Sequence, residues 1–170
     1  MYIYRPGGKR YVDSIVQPVR DLGFPKGELI VVGGAALQFF GIKQTNDIDV
    51  VIRSELMLDI VSLEENRQKR YQHFGRIGMQ LTVDAPDVGQ VLAEGDEYSA
   101  ARRGNISFML PPNDHLYAAT FEELSERSVS LRGIQILTPD AVREWKQGVQ
   151  RPKDLEDISL IDAYLDRVAS

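Results

Sequence analysis

The sequence predicts an α/β fold with a mixed sheet, and two observations support this prediction. Short β-branched runs of strand length are interspersed with longer segments in which apolar residues recur at helical spacing. These segments do not follow the strict strand–helix–strand order that a wholly parallel sheet requires. We therefore expect an α/β (α+β) architecture in which helices flank the sheet and two helices lie at the C-terminal end.

Length and composition indicate an ordinary globular protein. The 170 residues fit one compact domain, which we take as 1–170, and the 43% hydrophobic and 26% charged residues match globular usage. No apolar stretch approaches the roughly 18 residues of a membrane span, and the first residues lack the apolar core of a secretory signal. The absence of cysteine excludes disulfides, zinc–thiolate sites and cysteine nucleophiles. A cytoplasmic location is the default expectation.

The net charge limits the kinds of partner. A formal charge of −5, from 25 acidic and 20 basic residues, argues against a large non-specific nucleic-acid surface, because such surfaces need clustered Lys and Arg. A local basic site is still open at Arg67, Lys69 and Arg70 or at Arg102-Arg103, although charge runs of this size are more often solvated faces.

The predicted elements follow one another along the chain. Residues 11–22 predict a helix, 28–32 a strand, and 35–40 a short helix that closes at Gly41. Residues 47–52 predict a strand, 54 to about 70 a helix, and 79–83 and 106–110 two further strands. A hairpin is expected from 129–131 and 134–137 around Arg132-Gly133. Thr138 as cap with Pro139 in the first turn begins a helix, and 155–168 form a C-terminal amphipathic helix.

Gly33 and Gly34 stand between the first strand and the helix that follows it. Backbone without side chains can approach a phosphate closely there, and the start of the helix offers unpaired N–H groups. The alternative is a tight turn that serves the fold alone.

Asp47 and Asp49 lie two residues apart on a predicted strand, so their side chains project from one face, roughly 6–7 Å apart, while Ile48 faces the core. Paired carboxylates repel each other unless a cation compensates, and Mg²⁺ is commonly held by one or two carboxylates together with substrate phosphates. The alternative is a solvated acid pair. Lys43 and Thr45 lie in the preceding polar loop, where Lys43 contacts either a phosphate or solvent.

These residues together resemble the signature of the nucleotidyltransferase superfamily, in particular its minimal and AbiEii-toxin-like branches. The shared order is a hydrophobic strand, Gly-Gly, a short helix, a basic residue, Thr, and Asp-Ile-Asp in a second hydrophobic strand. The resemblance continues through residues 121–124, 136–139, Lys146 and 151–158, and so covers about 28–162.

The resemblance implies a nucleotidyltransferase-type fold and the transfer of a nucleoside monophosphate from an NTP to an acceptor, with Mg²⁺ holding the triphosphate. It implies that Gly33 and Gly34 cradle the phosphates with Lys43 and Thr45 nearby, and that Asp47 and Asp49 bind the metal. Lys146 and Lys153 would add positive charge, although surface pairing of Lys153-Asp154 and Glu156-Asp157 is the alternative. Asp154 is alternatively expected to orient Lys153 or to cap its helix.

The third metal-binding carboxylate of such proteins is missing from its expected place. Ser107 stands at that position, and a neutral hydroxyl is a weak metal ligand and a poor base. By its position in the sequence, Asp84 is the best candidate for this third carboxylate, and Asp114 is the second candidate. His73 and His115 are interpreted as surface residues, and Trp145 as core packing rather than a base-stacking platform.

Two functions remain open from the sequence. The first is an active Mg²⁺-dependent nucleotidyltransferase whose acceptor is a small molecule, an RNA end or a protein hydroxyl. The alternative is a catalytically impaired nucleotide- or partner-binding protein of the same fold, such as a toxin–antitoxin-like component with a protein partner. The P-loop motif and the dinucleotide-binding glycine motif are both missing, which argues against those classes.

Overall fold

The computed structural model describes residues 4–53, 100–103, 105–113 and 115–169. The described helices are α1 (Lys9–Asp21), α2 (Gly33–Phe39), α3 (Phe121–Glu126), α4 (Pro139–Val149) and α5 (Pro152–Val168). The described strands are β1 (Leu29–Val32), β2 (Ile48–Ile52), β3 (Ala100–Arg103), β4 (Ile106–Met109), β5 (Ser128–Leu131) and β6 (Ile134–Leu137).

The described strands form one mixed sheet in the order β3-β4-β2-β1-β6-β5. The central pair β1 and β2 is antiparallel, and each of these strands pairs in parallel with its outer neighbour, β6 and β4 respectively. The outermost strands β3 and β5 are antiparallel to β4 and β6. The predicted α/β fold with a mixed sheet and flanking helices is therefore confirmed.

The centre of the sheet is buried because the sequence there is almost wholly apolar. All four residues of β1 are buried, and Ile48, Val50, Val51 and Ile52 of β2 are at most 2% exposed. Strands covered on both faces have such continuous hydrophobic runs rather than an alternating pattern. Asp49 interrupts the run and is the least buried position of β2.

Helix α2 follows β1 without a loop and packs against β1, β2 and β6. It ends where expected, because Gly41 has a φ of +74° and the chain closes with a Schellman pattern. In that pattern the Gly41 N–H donates to the Gln38 carbonyl at 2.8 Å, and the Ile42 N–H donates to the Leu37 carbonyl at 2.9 Å. The helix is only seven residues long, and residues 40–47 lead from its end to the start of β2.

Helix α1 packs on this unit through one face. Val12, Ile15, Val16 and Val19 recur at three- and four-residue spacing and are all buried. The helix contacts α2 and β6. The predicted helix at 11–22 is confirmed, with its start at Lys9.

The predicted hairpin is formed by β5 and β6. Arg132 and Gly133 are its turn residues, with φ of 52° and 81°, as in the two-residue turns whose twist suits a β-hairpin. With Pro139 in the first turn of α4, Thr138 occupies the N-cap position, as predicted. Its hydroxyl donates to the Arg127 carbonyl at 2.9 Å instead of accepting from the first helical turn.

Besides shifts of one or two residues at other element ends, three details differ from the sequence predictions. Strand β2 begins at Ile48, so Asp47 precedes it. Strand β3 was not expected, because its sequence AARR has two charged residues and no β-branched one. Helix α5 begins at Pro152, three residues before the predicted start, and Arg151 and Asp154 cap its first turn.

The predicted helix from 54 and the strand at 79–83 lie outside the described residues, as do Asp84, Asp114 and His73. In the part of the chain that is described, no helix combines the length and the apolar character needed to cross a membrane.

Candidate functional site

Asp49 occupies the sheet position at which an acidic side chain is accessible. In β2 its neighbours Ile48 and Val50 are buried, so alternation of side chains turns Asp49 to the other face. In register it lies between Val32 of β1 and Ser107 of β4. The prediction that Ile48 faces the core is confirmed, since that residue is 2% exposed.

Asp47 is exposed and lies just before β2, at the end of a loop that side chains hold in place. The Thr45 hydroxyl lies 3.3 Å from both the backbone N–H and the carbonyl of Asp47. The Thr45 N–H donates to the side-chain oxygen of Gln38 at 2.8 Å. Gln38 is 5% exposed and its amide donates to the Ser14 hydroxyl of α1 at 2.6 Å. The loop that carries Asp47 is therefore tied through Gln38 to two helices.

The two glycines permit close approach of this loop and strand to α2. Gly33 has a φ of +59°, and a β-carbon there would lie 3.4 Å from Asp49 Oδ2. A β-carbon on Gly34 would lie 3.5 Å from the Thr45 side chain. The diglycine forms the first two residues of α2 rather than a separate turn, and a helix of seven residues has only a small dipole. The diglycine contributes space at this site, because Gly33 leaves room beside Asp49 and Gly34 leaves room beside Thr45.

Ser107 is the residue of β4 that stands beside Asp49. The two are direct partners in the parallel pairing of β2 and β4, so their side chains share one face of the sheet. Arg102 of β3 is the next residue in register. Among the described residues no group of three or more His, Cys, Asp or Glu side chains could hold a metal ion. The sequence candidates for a third carboxylate are Asp84 and Asp114, and both lie outside the described residues.

A chain of ion pairs connects the loop before β2 to α4 and α5. Lys43 Nζ lies 2.8 Å from Asp157, Lys146 Nζ lies 2.9 Å from Asp157 and 3.2 Å from Asp154, and Arg151 lies 2.9 Å from Asp154. Asp154 is fully buried and Asp157 is 4% exposed. Three cations and two carboxylates leave one net positive charge in this network.

The interpretation of Lys153-Asp154 and Glu156-Asp157 as surface charge pairs is wrong. Asp154 also accepts a hydrogen bond from the Arg151 backbone N–H at 3.0 Å and so caps the first turn of α5. A helix cap was one of the two alternatives predicted for Asp154. Lys153 is exposed and is not among the residues that line the cavity described below. Asp154 pairs with Lys146 and Arg151 instead, because the short connection between α4 and α5 brings these cations to it.

Burial and ion pairing act in opposite directions on these carboxyl groups. Burial by itself raises the pKa of Asp154, but hydrogen bonds from Arg151 and the charge of Lys146 outweigh it and the pKa lies below its usual value. Burial also raises the pKa of Asp157, but hydrogen bonds from Lys43 and Lys146 outweigh this effect, so the pKa of Asp157 is lowered as well. Both carboxylates are therefore charged at neutral pH and hold Lys146 in position.

Asp49 and this network meet in one cavity of about 260 Å³. Its polar wall contains Gly33 and Asp49 from the sheet side and Lys146, Arg151 and Asp154 from the helices. Its remaining wall is apolar and consists of Val32, Met109, Val142, Trp145 and Val149. The cavity thus combines a carboxylate, two basic side chains and an apolar surface.

The sequence pointed to several of these residues but missed others. Asp49, Gly33 and Lys146 come together as wall residues of one cavity, while Lys43 reaches the same network through Asp157. Gln38 was missed, although a polar residue inside the apolar segment AALQFF was a signal for it. Arg151 was named only within the resemblance, and Asp154 and Asp157 were expected mainly in surface pairs, because exposed and buried charges look alike in sequence. His115 is exposed, as predicted.

Comparison of the chain with protein-family models, with curated proteins and with solved structures gives no match.

Proposed function

We propose that this protein is a Mg²⁺-dependent nucleotidyltransferase that moves a nucleoside monophosphate from an NTP to an acceptor hydroxyl or phosphate. The observation that carries the proposal is the cavity in which Asp49 lies with Lys146 and Arg151. A metal–triphosphate needs carboxylate oxygens for the metal and basic groups for the phosphates, and this cavity provides both. The motif resemblance of residues 28–52 supports the same reaction.

The carboxylates of Asp47 and Asp49 suit Mg²⁺, which takes oxygen ligands and is usually bound through one or two carboxylates plus phosphates and water. When bound, the metal would neutralise charge that develops on the phosphate oxygens. Lys146 and Arg151 would orient the triphosphate, and the space beside Gly33 would admit it next to Asp49. We further propose a cytoplasmic location, on the basis of the cysteine-free composition.

In the proposed reaction an acceptor oxygen attacks the α-phosphorus of the NTP. The bond between the α-phosphorus and the bridging oxygen breaks, and pyrophosphate leaves with that oxygen. A hydroxyl acceptor also loses its proton to a nearby carboxylate or water. The residues of this chain contribute orientation and charge neutralisation, which are the main sources of catalysis in phosphoryl and nucleotidyl transfer.

Ser107 favours a second candidate, a nucleotide- or partner-binding protein of this fold that does not turn over. In register with Asp49, it offers a neutral hydroxyl where a third carboxylate would complete a second metal site. Two acids alone can hold a metal–nucleotide without activating an acceptor. A protein partner, as in a toxin–antitoxin-like pair, belongs to this second candidate.

The first experiment is calorimetric titration with each NTP, with and without Mg²⁺. Binding that needs Mg²⁺ and is lost in Asp47→Ala/Asp49→Ala is the expected result. The matched control is Glu156→Ala/Asp166→Ala, which removes two exposed carboxylates of α5 and should bind like the unmodified protein. Absence of binding to every NTP, or equal binding by the Asp47/Asp49 variant, would contradict the proposed function.

A labelled-NTP assay separates the two candidates. Release of pyrophosphate by the unmodified protein supports the transferase. If nucleotide binds without turnover and Ser107→Asp gains turnover or a higher affinity for Mg²⁺, the missing carboxylate explains the inactivity. Ser130→Asp, an exposed position on the edge strand β5, is the matched control for the added charge.

A further inference from the structure

We infer that the apolar half of the cavity is a stacking site for the nucleotide's base, formed around Trp145. The inference rests on the proposed function, because it assigns a part of the substrate to a part of the same cavity. The apolar wall is distinct from the ionic wall, and both are wall surfaces of one space of about 260 Å³. Sites for whole drug-sized ligands are usually about 300–1,000 Å³, so this space suits part of an NTP, with the base at the apolar wall and phosphate at the ionic wall.

One face of α4 supplies most of this wall. Val142, Trp145, Lys146 and Val149 are spaced three, one and three residues apart, which places them on one side of the helix facing the cavity. Met109 of β4 adds a thioether from the sheet, two residues beyond Ser107 on the same face. Sulfur next to aromatic rings is favourable. A base beside Trp145 would therefore lie within one helical turn of Lys146.

The indole of Trp145 is already held on one side. Tyr117 stacks on it with the ring centroids 5.3 Å apart and the planes 16° from parallel. Burial raises the pKa of Tyr117, so the phenol is neutral in the whole range in which nucleotides are assayed. Because Tyr117 covers one face, the part of the indole that lines the cavity is the opposite face or the ring edge. A base on the opposite face would extend the existing Tyr117–Trp145 stack.

Gly148 makes this stack possible. A β-carbon on Gly148 would lie 2.5 Å from the Leu116 carbonyl oxygen and 3.2 Å from the Tyr117 β-carbon. The first distance is shorter than any side chain tolerates against backbone, so segment 116–117 can approach α4 only at a glycine. Gly148 of α4 therefore lets residues 116–117 approach the helix closely enough for Tyr117 to stack on Trp145.

The chemistry of the wall also indicates which bases bind. Stacking on an aromatic ring accepts any base, since every base has a π-face. In the described wall the polar side chains other than Asp49 are Lys146, Arg151 and Asp154, which are engaged with one another. The wall thus offers apolar contact rather than base-edge hydrogen bonds. We expect purines to bind more tightly than pyrimidines because of their larger rings, with little difference between adenine and guanine.

Trp145 is the only tryptophan of the chain, so its fluorescence reports this site directly. The protein is titrated with Mg²⁺–ATP, –GTP, –CTP and –UTP and with Mg²⁺–tripolyphosphate, which carries the phosphates but no base. We expect the NTPs to quench the emission, purines at lower concentration, and tripolyphosphate to bind in calorimetry with a much smaller change in emission.

Variants test whether the indole contributes to affinity. Trp145→Leu should weaken Mg²⁺–ATP binding roughly tenfold or more, which is the usual scale of one base–aromatic stack, and leave tripolyphosphate binding unchanged. Trp145→Phe should recover part of the loss. Phe24→Leu is the matched control, because Phe24 stacks on Phe108 with centroids 5.7 Å apart and is not a wall residue of this cavity.

Tripolyphosphate binding also shows that Trp145→Leu is folded. Equal affinity of Trp145→Leu and the unmodified protein for ATP, together with unchanged emission on ATP binding, would overturn the inference while the proposed function stands. If neither ATP nor tripolyphosphate binds to the unmodified protein, the proposed function fails and the inference fails with it.

Discussion

Gly33 is needed both for its backbone conformation and for the space that its missing side chain leaves. Its φ of +59° is a conformation that costs other residues about 1–2 kcal/mol, and its missing side chain leaves room beside Asp49 Oδ2. Gly27 has the first property without the second, since its φ is +85° and no atom lies within 4 Å of a β-carbon built there. The two glycines therefore form a natural pair for separating strain from function.

Gly33→Ala and Gly27→Ala should each lower the free energy of unfolding by about 1–2 kcal/mol, because both force alanine into the left-handed region. Only Gly33→Ala should also weaken Mg²⁺–NTP binding, by roughly tenfold, because its methyl group contacts the Asp49 carboxylate. Urea denaturation and calorimetry measure the two effects. Equal NTP affinity in both variants would show that the space beside Asp49 has no role in binding.

At the scale of elements, the ion pairs between α4, α5 and the loop before β2 make the fold sensitive to acid. The pKa values of Asp154 and Asp157 are lowered in the folded protein, whereas in the unfolded chain they are near the usual value of about 4. Their contribution to stability is therefore fully present above about pH 4. It is lost as the pH falls through the lower folded values.

Asp157→Asn should reduce the free energy of unfolding at pH 7 by about 3 kcal/mol, because Lys43 and Lys146 lose a buried counter-charge. The difference from the unmodified protein should shrink as the pH falls, since the carboxyl of the unmodified protein becomes protonated as well. Urea denaturation at a series of pH values measures this. Asp166→Asn, an exposed change on the same helix, should show a small difference that does not vary in this way. A pH-independent deficit in Asp157→Asn would contradict the assignment.

For the whole molecule, the order of the sheet brings two segments that are far apart in sequence to one site. Asp49 in β2 and Lys146 in α4 are about 100 residues apart in sequence but line the same cavity. This occurs because β6, which leads into α4, pairs with β1 next to β2. A ligand that contacts both segments therefore links the N-terminal strands to the C-terminal helices.

A ligand bound across these segments should stabilise the entire fold. Mg²⁺–ATP at 100 times its dissociation constant adds about 2.7 kcal/mol to the free energy of unfolding, which corresponds to roughly 5–10 °C in Tm for a chain of this size. Differential scanning calorimetry measures the shift. Asp47→Ala/Asp49→Ala should show almost none, and an equal shift in that variant would place the binding elsewhere.

The sequence by itself determined the elements whose patterns are local. The apolar run of β1, the diglycine, the stop of α2 at Gly41, the strand around Asp49 and the hairpin at Arg132-Gly133 follow from propensity and turn chemistry. The residue type and spacing of Asp49 also suggested a metal ligand, whereas Lys146 was suggested only by the resemblance.

Only the tertiary structure decided which charges are buried and what they contact. Asp154 and Asp157 have the same local pattern as surface acids, and their burial depends on cations from α4 and from the loop before β2. The position of Trp145 at the cavity likewise depends on Tyr117, which Gly148 admits from a different segment. Strand β3 with its two arginines is part of the sheet through pairing with β4. The pairs Lys43–Asp157 and Tyr117–Trp145 join residues far apart in sequence. Desolvation and pairing within the folded protein outweigh the local preferences that a sequence pattern expresses.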